Sequence, residues 1–257
     1  MNKRAIASQS ISTYKKRLQR AYSNILGNRN YKRFAVIGHS RTGSNYLFVG
    51  LNSSNCVKMY HEVFAKRNRE IAGKEFDLIF PMLFRKESKN IKAVGFKLFY
   101  EHLTKNEWEK YLSHKYLRII HLTRKNRLKT IVSLDIAFKT NQWSLSANDK
   151  NKQLIEKKIL FNTSTLIDRL EQIQEYETFI RDRFKDRHTL EVVYEKLTTE
   201  PEETFQYIGA FLGVDDIDLG KITLTKQNPE SLEQLIVNYD EVYELLKNTK
   251  YAIYLSG

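Results

Sequence analysis

Short apolar runs alternate with segments of helical periodicity along most of the chain. The apolar runs have the length of β-strands, and a short loop separates each of them from the helical segment that follows. Strands are predicted at residues 34–37, 91–99, 117–123 and 189–194, and helices at residues 105–113, 126–139, 152–184 and 200–212. Because alternating strands and helices form a mostly parallel sheet covered on both faces, we expect an α/β fold of three layers around a central sheet.

Local signals mark the ends of two of these helices. Thr104 and Glu107 have the spacing of a capping box at the start of one. Pro201 stands in the first turn of the other, and Gly213 follows its end. The long helix at 152–184 is predicted from the helical spacing of its apolar residues.

Positive charge is concentrated in the first quarter of the chain. The 257 residues have a formal net charge of +13, yet residues 1–61 contain eleven Lys or Arg and no Asp or Glu, whereas residues 62–257 contain 32 basic and 30 acidic residues. A nucleic-acid coat protein would spread its charge over a whole face, so this distribution argues against that class and predicts a local anion-binding region. The hydrophobic fraction of 41% is sufficient for a folded core.

The N-terminal segment has the pattern of a basic amphipathic helix. Its apolar side is formed by Leu18, Tyr22, Ile25 and Leu26, and its basic side by Lys15, Lys16, Arg17 and Arg20. We predict a helical extension over residues 1–32 and one domain over residues 33–257. The helix either docks on the core or makes a weak contact with an anionic membrane surface through residues 1–33. The acid-free, Ser-containing composition is also that of an organellar transit peptide.

The cysteine content and the hydropathy pattern bear on where the protein works. The single cysteine, Cys56, cannot form an internal disulfide and gives no metal-ligand spacing. The chain has no apolar run of about eighteen residues or more and no secretory signal pattern at its N-terminus. We therefore expect a cytoplasmic protein.

A glycine-containing loop, Gly38-His-Ser-Arg-Thr-Gly-Ser-Asn45, joins the first predicted strand to a helix. Backbone N–H groups and the helix dipole make this position a phosphate site, unless the loop is a plain strand-to-helix turn. Its glycine spacing is that of a P-loop, but Ser44 and Asn45 replace the Lys and hydroxyl residue that hold the terminal phosphates and Mg²⁺. The loop therefore predicts a P-loop-like fold for a nucleotide whose terminal group transfers without obligatory metal.

Two segments resemble the sulfotransferases that use 3′-phosphoadenosine-5′-phosphosulfate (PAPS). Ser40-Arg-Thr-Gly-Ser-Asn-Tyr-Leu47 resembles their 5′-phosphosulfate loop, with Asn45 where a hydroxyl residue is common. The strand ending in Arg124 and the helix presenting Ser133 are similar to their 3′-phosphate motif. The spacing of nine residues between Arg124 and Ser133 resembles the bacterial branch that contains trehalose and nodulation-factor sulfotransferases.

The resemblance implies a set of donor-binding residues and no metal. The 5′-phosphosulfate would be held by Arg41, Thr42, Gly43, Ser44 and Asn45, and the rest of the nucleotide by Arg124, Ser133, Tyr194, Lys226 and Gln227. Tyr194 is expected beside the adenine, while Lys226 and Gln227 are expected to close over the nucleotide. The alternatives are structural: a salt bridge for Arg124, a packed aromatic ring for Tyr194 and a solvated charge for Lys226.

Sulfuryl transfer needs charge stabilisation on the leaving oxygen and a base for the acceptor's proton. Arg41 suits the first task because a guanidinium stays charged, although it donates protons poorly. Glu62, in Met59-Tyr-His-Glu-Val-Phe64, follows a further short predicted strand and is the expected base. His61 is the alternative base, and a third possibility is that the base is neither of these two residues. Lys97 either contacts the sulfuryl group or acceptor or faces solvent.

The acceptor is less constrained than the donor. We expect a hydroxyl or amine of a carbohydrate, glycolipid or small secondary metabolite, contacted by loops near residues 62–90 and 138–160. Three aromatic residues are candidates to stack on a sugar ring, or else core residues: Trp108, Phe138 and Trp143. Competing interpretations of the whole chain are a P-loop kinase or NTPase and a basic nucleic-acid or membrane-surface binding module; we expect no nucleic-acid partner, and the sequence predicts no oligomeric state.

Overall fold

The computed structural model describes Ser23 and residues 25–72, 76–145 and 157–256. Its centre is a five-stranded sheet formed by β1 (Lys32–Gly38), β2 (Val57–Tyr60), β3 (Ala93–Phe99), β4 (Arg118–Thr123) and β5 (Thr189–Val193). The strands are all parallel and follow the order β2-β3-β1-β4-β5. The predicted α/β class and parallel sheet are confirmed. Because every strand runs in the same direction, all five carboxyl ends lie at one edge of the sheet.

Ten α-helices and four 3₁₀ turns are present in the described residues. The helices are α1 (Ser44–Leu51), α2 (Lys66–Ala72), α3 (Phe76–Leu83), α4 (Lys105–Ser113), α5 (Arg127–Thr140), α6 (Leu166–Phe184), α7 (Tyr194–Thr199), α8 (Pro201–Leu212), α9 (Leu232–Leu235) and α10 (Tyr239–Leu246). The 3₁₀ turns are Tyr100–His102, Thr163–Thr165, Leu219–Lys221 and Ala252–Tyr254. None of the helices that the structure describes is long and apolar enough to cross a bilayer.

Helices cover both faces of the sheet, which gives the three predicted layers. Alternation along β1 places Ala35 and Ile37 in one core, where they lie with buried residues of α3, α4 and α6. Phe34 and Val36 point the other way, into a core shared with α1 and α8. A third apolar cluster joins α5 and α6 to α9, α10 and the C-terminal turn. The central strand is therefore buried on both faces and holds the loop that follows it in a fixed position.

The helix predicted over 152–184 is too long at its N-terminal end. Residues 152–156 lie outside the described residues, and α6 begins only at Leu166. Ile159 instead forms a parallel bridge: its N–H donates to the Leu235 carbonyl at 2.9 Å, and its carbonyl accepts from Val237 N–H at 2.8 Å. Ile159 is buried by this strand-like pairing, so its helical spacing from Leu166 is coincidental.

Two other expectations concern the ends of elements. The strand predicted at 189–194 ends at Val193, and Tyr194 is the first residue of α7. The N-terminal amphipathic helix lies almost wholly outside the described residues; Ser23, Ile25 and Leu26 are helical, and an isolated bridge pairs Asn28 with Glu87. The division of the chain at residues 32 and 33 stays a prediction.

Candidate active site

The glycine-containing loop joins the carboxyl end of β1, the central strand, to α1. Arg41 and Gly43 have positive φ angles of 68° and 86°, so the chain turns sharply within the loop. The Thr42 hydroxyl donates to the His39 carbonyl at 2.8 Å and tightens the turn. The first amides of α1, beginning at Ser44, have no carbonyl partner within the helix and are available to an anion.

Tyr194 lies directly against this loop. A Cβ atom on Gly43 would lie 2.6 Å from Cδ2 of the tyrosine ring, so only glycine permits this approach. On the ring's surface lies the Arg124 guanidinium, with its Cζ 4.6 Å from the ring centroid. The structure thus brings Gly43, Arg124 and Tyr194 together, although each follows a different strand.

Arg41 connects the loop to two distant parts of the chain. Its Nε donates to Ser133 Oγ at 3.0 Å, its Nη1 donates to the Trp143 carbonyl at 2.7 Å, and its Nη2 donates to the side-chain oxygen of Gln227. Burial, together with the neighbouring charge of Arg124, lowers the Arg41 pKa to about 10. Arg41 therefore stays charged at neutral pH and lies between the two predicted phosphate motifs.

Ser133 is held from two sides. Besides the Arg41 contact, its Oγ accepts a hydrogen bond from Asn228 Nδ2 at 3.1 Å. Both lone pairs of the hydroxyl are therefore engaged, and its proton remains available for an acceptor such as a phosphate oxygen. The sequence did not single out Asn228, which adjoins the predicted Lys226 and Gln227 but matches no phosphate motif.

Arg124 is buried and only partly satisfied. Its Nη1 donates to the Arg41 carbonyl at 3.3 Å, and its Nε has no hydrogen-bond partner within the described residues. Burial lowers its pKa. The ion pairs of the described residues do not include Arg124, so the structure does not support the salt-bridge alternative. A buried cation with an unused donor is suited to binding an anion.

Lys226 and Gln227 lie at the same end of the site. Gln227 donates from Nε2 to the Gln142 carbonyl at 3.1 Å while its oxygen accepts from Arg41. Lys226 is exposed, and its charge contributes to the lowered pKa of Lys129 on α5. The segments around residues 142 and 227 thus lie across the glycine-containing loop.

Glu62 follows β2, and its contacts lead to Asn45 at the end of the loop. Its Oε1 pairs with Lys97 Nζ at 2.8 Å, and that ammonium also donates to Asn45 Oδ1 at 2.7 Å. The Lys97 side chain is only 1% exposed; burial lowers its pKa while the charge of Glu62 raises it. Asn45 is therefore joined to Glu62 through Lys97. The solvent-facing alternative for Lys97 is wrong.

Two histidines lie near this ion pair. The ring of His61 packs on Phe48 with centroids 3.8 Å apart, and burial lowers its pKa. Burial also lowers the pKa of His102 to about 4, and His102 Nδ1 accepts from Phe99 N–H at 3.2 Å. Both rings are neutral near pH 7. Sequence reasoning missed His102 because only the fold brings it close to Lys97 and Glu62.

The aromatic candidates divide into two kinds. Trp108 is a core residue, whereas Phe138 and Trp143 are exposed and meet edge to face with centroids 5.1 Å apart.

No cluster of three or more metal-ligating side chains occurs within the part of the chain that the structure describes.

Among the solved structures that match this chain are three sulfotransferase structures. A sulfotransferase from Alicyclobacillus acidocaldarius matches 87% of this chain and 92% of its own, with 12% identity and a TM-score of 0.50. Mouse sulfotransferase SULT7A1, solved with PAP, matches 79% of this chain and 67% of its own at 16% identity and a TM-score of 0.43. The sulfotransferase domain of the Synechococcus PCC 7002 olefin synthase matches 81% of this chain and 80% of its own, at 16% identity and a TM-score of 0.41.

Comparison of the sequence itself gives the family. No curated protein matches the chain. A family model described as Stf0 sulphotransferase matches residues 97–241, which is more than half of the chain and includes Arg124, Ser133 and Tyr194. This match confirms the enzyme class that the two phosphate motifs predicted and disfavours the kinase and binding-module interpretations. The chain therefore belongs to the Stf0 sulfotransferase family and is a PAPS-dependent sulfotransferase.

Proposed function

We propose that this enzyme transfers the sulfuryl group of PAPS to a hydroxyl or amine of a carbohydrate, glycolipid or small secondary metabolite, with Glu62 as the general base. The observation that supports this most is the contact between Arg41 and Ser133, whose Nε and Oγ lie 3.0 Å apart. It joins the predicted 5′-phosphosulfate loop to the predicted 3′-phosphate helix. A nucleotide phosphorylated at both ends requires two such adjacent anion sites.

At the 5′ end, the amides that follow Gly43 and the side chains of Thr42, Ser44 and Asn45 surround the phosphosulfate. Arg41 stabilises the charge that develops on the leaving phosphate oxygen. It does so as a fixed cation, since its pKa of about 10 keeps it protonated at neutral pH. Loss of one such donor typically costs about 10²–10³ in rate.

At the other end of the nucleotide, Arg124 and Ser133 bind the 3′-phosphate through the unpartnered Nε and the free hydroxyl proton. Tyr194 lies beside the adenine, held by the Gly43 and Arg124 contacts. Gln227 closes over the nucleotide through its contact with Arg41, and Lys226 adds charge from solvent.

Glu62 takes the acceptor's proton. One of its oxygens pairs with Lys97, and Oε2 makes no hydrogen bond within the described residues, so it is open to an acceptor hydroxyl. Lys97 has a third N–H to direct at a sulfuryl oxygen. His61 is the weaker candidate because its ring is packed on Phe48.

The acceptor approaches from the side of Glu62. The exposed pair Phe138 and Trp143 supports a ring-containing acceptor, since the C–H groups on an apolar face of a sugar ring can pack against an aromatic surface. Residues 73–75 and 146–156 of the two predicted acceptor loops lie outside the described residues. Mass spectrometry of a metabolite extract incubated with enzyme and PAPS would identify the sulfated product.

For the whole chain, we propose a catalytic domain over residues 33–257 that is preceded by a basic extension over residues 1–32. We further propose a weak membrane contact through residues 1–33, a cytoplasmic location and a bacterial origin. The absence of a second cysteine to pair with Cys56 supports the cytoplasm.

Thermal unfolding with different nucleotides tests the donor. Adenosine 3′,5′-bisphosphate (PAP) binds only the folded state and should raise the midpoint without added metal. ATP with Mg²⁺ serves as the comparison, since a P-loop kinase would respond to it. Stabilisation by ATP–Mg²⁺ alone would overturn the proposal.

A further inference from the structure

A second basic side chain of α5, Lys129, lies one helical turn before Ser133. Residues four apart share a face of a helix, so Lys129 and Ser133 point to the same side. Asn126 fixes this turn, because its side-chain oxygen accepts the Lys129 N–H at 2.9 Å as the helix cap. The side chain of Lys129 is half-buried, whereas that of Lys226 is exposed.

Two other cations, Lys226 and Arg124, act electrostatically on Lys129. Burial lowers its pKa, and the charges of Lys226 and Arg124 lower it further. The ion pairs of the described residues include none of these three side chains. The carboxylate of Glu195 partly offsets them, and one of its oxygens accepts the Lys125 backbone N–H at 3.1 Å. The three cations therefore repel one another until an anion binds among them.

We propose that Lys129 binds the 3′-phosphate of the donor nucleotide together with Arg124 and Ser133, and that it thereby sets the preference for 3′-phosphorylated nucleotides. This inference rests on the function proposed above. A phosphate monoester has nearly two negative charges at neutral pH and several acceptor oxygens. The donors proposed for it are the unpartnered Arg124 Nε, the free Ser133 hydroxyl proton and the ammonium of Lys129, which shares the helix face of Ser133.

The 3′ end is the one that Lys129 can reach, because of its place on α5. Arg124 precedes this helix and Ser133 follows Lys129 by one turn, whereas Glu62 and Lys97, which mark the sulfuryl end, lie beyond β2 and on β3. Lys129 is therefore expected to distinguish PAP from AMP, which lacks the 3′-phosphate, and to leave the reacting end unaffected.

Titration calorimetry with PAP and with AMP tests the inference. Lys129→Met keeps the apolar stem and removes the charge, and it should weaken PAP binding about ten- to a hundredfold, since a hydrogen bond to a charged group contributes about 1.5–3 kcal/mol. AMP affinity should change less than about twofold. Lys129→Arg should retain most of the preference for PAP.

The control is Lys185→Met, which removes the same charge just after α6, at the opposite edge of the sheet. It should bind PAP like the wild type. Equal weakening of PAP and AMP in Lys129→Met, or no weakening of PAP, would overturn the role of Lys129. A wild-type protein that does not prefer PAP over AMP would instead contradict the proposed function itself, so the two failures can be told apart.

Discussion

Glu62 and Lys97 form an ion pair next to the glycine-containing loop. Lys97 is almost fully buried, and its ammonium links the carboxylate of Glu62 to the side-chain amide of Asn45 in the glycine-containing loop. Asn45, the one departure from the resemblance at this loop, thus connects the predicted donor site to the proposed base. A hydroxyl side chain is shorter and does not present an amide oxygen at this distance.

Replacing Glu62 with Gln should abolish turnover and leave PAP affinity nearly unchanged. The amide keeps the shape of the side chain but accepts no proton from the acceptor. PAP formation from PAPS, in the presence of an extract that contains the acceptor, measures turnover, and calorimetry measures affinity. Glu203→Gln, an exposed change on α8, is the matched control. Wild-type turnover by Glu62→Gln would remove Glu62 from this role.

His102 makes the stability of this region depend on pH. Burial lowers its pKa to about 4, with smaller contributions from Glu62, which raises it, and from Lys97 and Arg69, which lower it. Since the unfolded pKa is near 6.5, the unfolded chain gains a proton that the folded chain does not as the pH falls from 6.5 to 4. The folded state should lose up to about 3 kcal/mol over this window.

Urea denaturation at about pH 7 and pH 4.5 measures this effect. In His102→Asn the amide oxygen can still accept the Phe99 N–H, and no titration occurs. We expect the variant to lose less stability on acidification than the wild type, because only the contribution of His102 is absent. The same loss in both proteins would show that His102 is not responsible.

The elements differ in how far the sequence predicts them. The capping box of α4 forms as its spacing indicates, with Thr104 N–H donating to Glu107 Oε2 at 2.9 Å, and α8 runs from Pro201 to Leu212. Such signals are local and can be recognised in a sequence. The strand-like conformation before α6 could not be predicted, because the pairing of Ile159 with Ile236 joins parts of the chain 77 residues apart.

Asn238 stabilises that non-local pairing. Its side chain accepts from Phe161 N–H at 2.8 Å and donates to the Phe161 carbonyl at 3.0 Å, and both residues adjoin the bridge. Asn238→Ala leaves these backbone groups without partners and should lower the free energy of unfolding by about 1–3 kcal/mol.

Urea denaturation checks this value. Asn90→Ala, which removes one side-chain bond to the Asn55 carbonyl in an exposed loop, is the control and should cost less. A cost for Asn238→Ala no greater than that of the control would contradict the role of Asn238 as the anchor.

Across the whole molecule, each of the five strands positions one residue of the candidate active site. Arg41 follows β1, Glu62 follows β2, Lys97 lies on β3, Arg124 follows β4 and Tyr194 follows β5. Parallel strands place these residues at a single edge although they span 153 positions of sequence. The residues that we predict to bind the phosphates could be proposed from the sequence because their motifs are local.

Other features of the site depend on distant contacts that no motif records. Examples are the Asn228 contact with Ser133 and the Lys97 bridge to Asn45. Of the eleven basic residues in positions 1–61, Arg41 contacts the predicted nucleotide site, and most of the others precede β1 or lie within it.

A crystal structure of the enzyme with PAP would show where each phosphate of the donor product lies. We predict the 5′-phosphate against the loop that contains Arg41 and Gly43, the 3′-phosphate against Arg124 and Ser133, and the adenine beside Tyr194. PAP bound away from these residues, or bound with its 3′-phosphate at the glycine-containing loop, would contradict the proposed donor site.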